Sequence, residues 1–247
     1  MPSRLVVILV ASMFLVWPDT VHAQWYAAGY LGTNRTLSAP VSIEQPTRNT
    51  SLTFSDVPFE ARPFKSPQYY GVRVGHMFGR QRRFGAEFEW IHPKAYADTT
   101  QVVHISGRLN GVLVDTDGRM DTIVQRYAMS HGMNFALFNA VMRIPLSESG
   151  SGLASRVAVT ARAGAGPMLP HAENTVAGES REQYEAGGIG YQVAGGVDVR
   201  LVGWLSVFSD YKFGHGNPEV MIADGTGGTT ANVHQLAFGL AFGMAGR

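Results

Sequence analysis

The sequence predicts an all-β fold, an eight-stranded antiparallel up-and-down transmembrane β-barrel with long extracellular loops. Three observations predict it. Eight short stretches alternate apolar with polar residues, the period of a strand whose two faces meet different environments. Their connections run long, short, long, short, long, short, long, as loops at one mouth of a barrel and tight turns at the other would. An export signal precedes them.

Residues 1–23 read as that signal peptide and residues 24–247 as the outer-membrane β-barrel domain. Arg4 gives a positive start, Leu5 to Trp17 is an apolar run of 13 residues, and Val21 and Ala23 are small residues before a cleavage point. The run is too short to cross a bilayer as a helix, and no later run approaches the ~20 residues that would.

The first strand is read at Trp25 to Asn34. Tyr69 to Phe78 follows, with Tyr70, Val72, Val74 and Phe78 opposite Gly71, Arg73 and Gly75. In Phe84 to Trp90, Glu87 and Glu89 alternate with Ala86, Phe88 and Trp90. The fourth stretch, His131 to Ile144, has no evident inward face. Arg156 to Gly166 sets Thr160 and Arg162 against Val157, Val159 and Ala161. Tyr191 to Leu201 opposes Gln192, Asp198 and Arg200 to valines. Leu205 to Phe213 opposes Ser206, Asp210 and Lys212 to Leu205, Val207 and Tyr211. Val233 to Phe242 closes the series with Leu236, Phe238, Leu240 and Phe242 on one face and small residues on the other.

The connections carry their own marks. The first is proline-rich (Pro40, Pro46, Pro58, Pro63, Pro67), Gly79 to Arg83 and Ser147 to Ser155 are short turns, and Val202-Gly203 is shorter still. In the connection after the third strand, Asn110-Gly111 and Asp117-Gly118 read as two hairpin turns flanking a small extra β-element. The third and fourth strands are expected to project past the bilayer around it.

With 20 Lys and Arg against 19 Asp and Glu, the net charge of +1 offers nothing to nucleic acid. The absence of cysteine rules out a disulfide framework. Eight strands leave a lumen just wide enough for side chains to fill, which argues against a diffusive pore. Inward Arg73, Glu87, Glu89, Arg162, Asp198, Arg200, Asp210 and Lys212 are therefore expected to pair with one another.

Histidines gather at the loop end: His92, His104, His131, His171, His215 and His234, with Lys94, Tyr96, Asn134, Glu173, Tyr211 and Lys212 near them. Such a set could bind a divalent metal or serve as acid and base, since imidazole titrates near neutrality and is the commonest nitrogen ligand. Histidine, Tyr and Trp also populate interfacial girdles because one end of each ring is apolar and the other wet. Asp115-Thr116-Asp117-Gly118 lacks the spacing of a calcium loop and reads as a turn. His104-Ile105-Ser106 lacks the acid an acyl hydrolase needs.

Four segments carry a closer resemblance: Glu87-Phe88-Glu89-Trp90-Ile91-His92-Pro93-Lys94-Ala95-Tyr96, Ser130-His131-Gly132-Met133-Asn134, Gly166-Pro167-Met168-Leu169-Pro170-His171-Ala172-Glu173, and Asp210-Tyr211-Lys212. In these the chain resembles small outer-membrane barrels related to the lipid A oxidase of rhizobia. The resemblance implies an oxygen- and divalent-metal-dependent oxidation of the proximal glucosamine of lipid A, releasing hydrogen peroxide. For such a reaction, rim position and side-chain chemistry make His131, His171 and Lys94 the expected catalytic residues. His92, His131, His171 and Glu173 are the expected ligands of a divalent metal whose identity the residues do not fix. Lys94, Lys212, Asn134 and Tyr211 are expected to bind substrate. The expected partners are lipid A or lipopolysaccharide and the outer-membrane bilayer around a monomer, with both termini periplasmic. A non-catalytic barrel, structural or adhesin-like, remains the alternative.

Overall fold

Each long strand sends alternate side chains inward and outward, and the two rows differ completely in character. The computed structural model describes residues 25–79, 81–147 and 152–243. The signal peptide assigned to residues 1–23 lies outside them, as do Arg80 and residues 148–151 in two of the short turns. From the start of the chain the strands are β1 (Trp25–Thr36), β2 (Ala39–Gln45), β3 (Thr50–Val57), β4 (Phe59–Glu60), β5 (Tyr70–Phe78) and β6 (Phe84–His92). The next connection holds β7 (Ala95–Ala97), β8 (Val102–Leu109), β9 (Val112–Arg119) and β10 (Val124–Met129). Then come β11 (Phe135–Pro145), β12 (Val157–Pro167), β13 (His171–Val176), β14 (Glu179–Tyr184) and β15 (Ile189–Val202). Last are β16 (Leu205–Gly216), β17 (Glu219–Ile222), β18 (Gly225–Thr229) and β19 (Ala231–Phe242).

Strands β1, β5, β6, β11, β12, β15, β16 and β19 form a closed antiparallel barrel, each paired with its neighbour in the series, with β19 closing back on β1. These are the eight stretches the alternation marks. Short turns lie at one mouth together with Trp25 and Phe242. At that mouth Ala27 pairs with Phe242, and Phe242 with Leu205.

The exterior is apolar: Val72, Val74, Phe84, Phe88, Phe138, Met142, Val159, Val193, Val197, Phe238 and Leu240 are all exposed. The interior is charged. Arg73 donates to Glu89 (3.0 Å) and to Asp210, Arg162 to Asp210 (3.2 Å), and Lys212 to Glu89 and the Tyr30 hydroxyl oxygen (2.8 Å). Arg162 also faces Glu87 at 3.3 Å. Tyr26 donates to Glu87 (2.6 Å) and Tyr30 to Glu89 (2.7 Å), while Asn139 donates to both carboxylates. Three cations thus meet three carboxylates in mutual contact, as expected for six of the eight inward charges; Asp198 instead faces Arg143 at 3.9 Å and Arg200 donates to the Ser155 carbonyl (3.0 Å). A greasy outside around an ionic inside inverts the plan of a soluble barrel and fits a bilayer-spanning one. Among the described residues no helix is long and apolar enough to cross a membrane.

The fourth strand corrects its sequence reading. It starts at Phe135, not His131, because Gly132 (φ 92°) and Asn134 (φ 46°) turn the chain first. Leu137, Asn139 and Val141 face inward, Phe138, Ala140 and Met142 outward.

The long connections fold far more than expected. A six-stranded sheet runs β17-β18-β2-β3-β8-β9 and a five-stranded sheet β14-β13-β10-β7-β4, both over the loop-end mouth. Between them and the top of the lumen lies one apolar core that includes Ile43, Leu52, Phe54, Met120, Tyr127, Met133, Phe135 and Met168. Asn110-Gly111 makes the β8–β9 turn, with both residues at positive φ. Asp117-Gly118 does not turn: it lies within β9, opposite His104 and Val103.

Candidate metal centre

The site begins with a hairpin. Ala177 and Gly178 both take positive φ (51° and 81°), the two-residue turn whose twist suits paired strands. The register it sets puts Glu173 opposite Glu182 and His171 opposite Tyr184. Along β13, Ala172, Asn174 and Val176 are buried in the core, so His171 and Glu173 take the other face. Glu182 lies diagonally across from His171, within reach of a long side chain.

A second element brings His131 to the same place. The turn at residues 129–134 is held by Asn134, which is buried and whose side-chain amide donates to the carbonyls of His131 (3.1 Å), Gly132 (3.3 Å) and Leu169 (2.9 Å). His92 supports it from behind, its Nδ1 2.7 Å from Asn134 Oδ1 and its ring stacked on Tyr70. Gly132 is required here, since a Cβ would fall 2.5 Å from the His92 Nδ1 and from Asn134 Oδ1. The backbone N–H of His171 donates to the Gly132 carbonyl (3.0 Å), which locks the hairpin to the turn.

The result is a cluster just beyond the ends of β6, β11 and β12. The Nδ1 atoms of His131 and His171 are 3.2 Å apart, and His171 Nε2 lies 3.5 Å from Glu182 Oε1. Ser130 Oγ is 3.2 Å from His131 Nδ1, and the Tyr184 ring stands edge-on to His171 at 4.4 Å. One ligand atom from each of His131, His171 and Glu182 lies within 4.8 Å of the others. Bonds of about 2.0–2.2 Å to a shared ion bring ligand atoms to about 3–3.5 Å from each other, so small side-chain rotations suffice. Two imidazoles and a carboxylate suit zinc or a non-haem iron-type centre with open positions. The residues present therefore fit a divalent cation.

The other expected residues go elsewhere. Glu173 is not in the cluster but pairs with Arg126 (2.6 Å). His92 and Asn134 are internal supports. Lys212 is fully buried in the lumen on Glu89, four residues below the end of β16 and far from any surface anion. Tyr211 faces outward and meets His234 at 2.5 Å. His104 sits in the six-stranded sheet between Asp115 and Asp117, both at 3.1 Å.

Lys94 is buried behind the five-stranded sheet. Its Nζ donates to the Lys65 carbonyl (2.8 Å) and lies 5.9 Å from the Tyr96 ring centre. Burial, then the charges of Arg62 and Lys65, hold its ammonium below the usual lysine range. The Tyr96 hydroxyl in turn donates to the Ser130 carbonyl (3.2 Å), next to His131.

Glu182 is the member that sequence reasoning missed. Its signal was Ala177-Gly178: a two-residue turn there fixes the register and carries Glu182 beside His171.

No family model matches the sequence, and no curated protein matches it. Solved structures that align along most of the chain include Neisserial surface protein A, at 9% identity over 90% of this chain and 97% of that one, with a TM-score of 0.41. The outer membrane protease OmpT of Escherichia coli aligns at 8% identity over 91% and 99%, TM-score 0.43. OprG of Pseudomonas aeruginosa aligns at 11% over 91% and 98%, TM-score 0.39. At such identities no activity carries across.

Proposed function

We propose that this protein is a bacterial outer-membrane enzyme that modifies lipid A in the outer leaflet. In this reading the sheets over the barrel mouth face outside and both termini lie in the periplasm. The observation that supports it is the convergence of His131, His171 and Glu182 just past the barrel strands, which in this reading is the height of glycolipid headgroups. The expected reaction is oxidation of the proximal glucosamine at its anomeric carbon. The hemiacetal C1–H and O–H bonds break, a lactone forms, and dioxygen takes the two electrons and two protons to leave as hydrogen peroxide. Water then opens the lactone to the aminogluconate.

His131, His171 and Glu182 would hold the divalent cation, which supplies Lewis-acid and electron-accepting chemistry when bound. Tyr184, exposed beside His171, offers a flat apolar surface for the sugar. Glu173, across the strands from Glu182 and on the same face, is the nearby carboxylate that would receive the hydroxyl proton, exchanging its ion pair with Arg126 for the substrate. Lipid A mass spectrometry in a host that lacks the activity and makes lipid A with a free anomeric hydroxyl tests the proposal. A gain of one oxygen that needs air and divalent cation supports it. An unchanged spectrum from folded protein returns the chain to the structural or adhesin-like alternative.

A further inference from the structure

We infer that Arg62, Phe64 and Lys65, backed by Lys94, form a site for the phosphate group of an outer-leaflet lipid, beside the metal cluster. The inference rests on the enzyme reading only for its use and stands on its own geometry. Lys94 is 1% exposed, and among the described residues no carboxylate lies within ion-pairing distance of it. A buried charge without a counter-ion is costly, so the surroundings favour an incoming anion. Two more cationic residues lie close by: Arg62 stands over the Tyr96 ring at 4.4 Å, and Lys65, exposed, accepts the Lys94 ammonium on its backbone carbonyl. The carboxylate at hand, Glu60, is already shared with Arg62 at 2.7 Å and is exposed, which leaves the group an excess of positive charge.

The lipid character comes from Phe64. It is 78% exposed and stands between Arg62 and Lys65 in sequence, a few residues before the barrel wall resumes at Tyr70. An aromatic side chain flanked by cations at the end of a spanning strand sits where acyl chains give way to headgroups. Free phosphate would have no use for it. Arg62 holds Glu60 through Nε and Nη2, which leaves its Nη1 amino group to donate to a phosphate oxygen, and Lys94 adds field from beneath. Tyr96 links this site to the metal cluster through Ser130. On the five-stranded sheet Tyr96 and the His171–Glu173 strand are two strand spacings apart, about 10 Å. One phosphorylated sugar headgroup would thus meet both.

The test is native mass spectrometry of the full-length protein in detergent, offered equal amounts of lipid A phosphorylated on the distal sugar alone, with a free anomeric hydroxyl, and its fully dephosphorylated form. The phosphorylated lipid should be retained about tenfold better, and Arg62→Gln with Lys65→Gln should abolish the preference. Phe64→Ser should weaken retention of both lipids. Competition by inorganic phosphate at millimolar concentration should leave retention unchanged; if it empties the site, the lipid assignment is overturned. Equal retention of the two lipids by the native protein, or an unaltered preference in the folded double variant, also overturns it. Retention that persists where lipid A stays unoxidised would remove the enzyme reading and leave this site standing.

Discussion

Replacing Glu89 by Leu should be among the most damaging changes in the barrel, and its cost follows from the partners. Glu89 takes hydrogen bonds from Arg73, Lys212, Tyr30, Asn139 and Gln192, all buried. Arg73 keeps Asp210 when Glu89 is lost, but among the described residues Lys212 has no other carboxylate in hydrogen-bond contact. Breaking a buried ion pair from one side costs about 3–5 kcal/mol, because the remaining charge is uncompensated. About 4 kcal/mol is a shift of roughly 10³ in the folding equilibrium. The compensated pair Glu89→Gln with Lys212→Met removes both charges and should recover about half of the loss. Urea unfolding in phospholipid vesicles reads the difference through Trp25 and Trp204, which face outward. A Glu89→Leu protein as stable as the native one, or a double variant worse than the single, would refute the reasoning.

Other substitutions separate the members of the outer site. Glu182→Gln should weaken divalent-metal binding about tenfold to a hundredfold while Glu173→Gln leaves it nearly intact, as isothermal titration would register. Gly132→Ala should leave the barrel folded but lower metal affinity, because the added methyl group collides with His92 and Asn134; circular dichroism with metal titration checks both halves. Lys94 gives a pH dependence of defined sign. Its folded-state pKa lies below that of the unfolded chain, so folding releases a proton and stability rises as pH climbs toward the ordinary lysine value. Lys94→Met should flatten that slope in denaturant titrations run across alkaline pH.

The barrel was legible because its physics is periodic. Alternation in β5, β6, β15, β16 and β19 is enough to separate lipid from lumen, and the turn at Val202-Gly203 is too short for anything but antiparallel neighbours. The sheets over the mouth were not legible, and the reason is local. Pro40 lies within β2 at a position exposed to solvent, where its carbonyl still accepts from Thr229 (2.8 Å), so proline did not exclude a strand. Asp117-Gly118 looked like a turn, yet Asn110-Gly111 had already reversed the chain, and the second pair simply continued the ladder to His104 and Val103.

The candidate site divides along the same line. His131 and His171 were visible as rim residues, since each lies a few residues from the end of a barrel strand. Glu182 was hidden because its place depends on hairpin register, and Glu173, nearer in sequence to His171, drew the assignment instead. Depth explains Lys212: alternation turns it inward, and Glu89 waits across the lumen.

X-ray absorption of the zinc- or cobalt-loaded full-length protein tests most directly whether the loop hairpin and the turn at residues 129–134 build a metal centre. The expected spectrum shows two imidazole nitrogens and a carboxylate oxygen on one ion, with one imidazole lost in each of His131→Ala and His171→Ala. A shell of oxygens without imidazole scattering, or a spectrum unchanged by either substitution, would contradict the account.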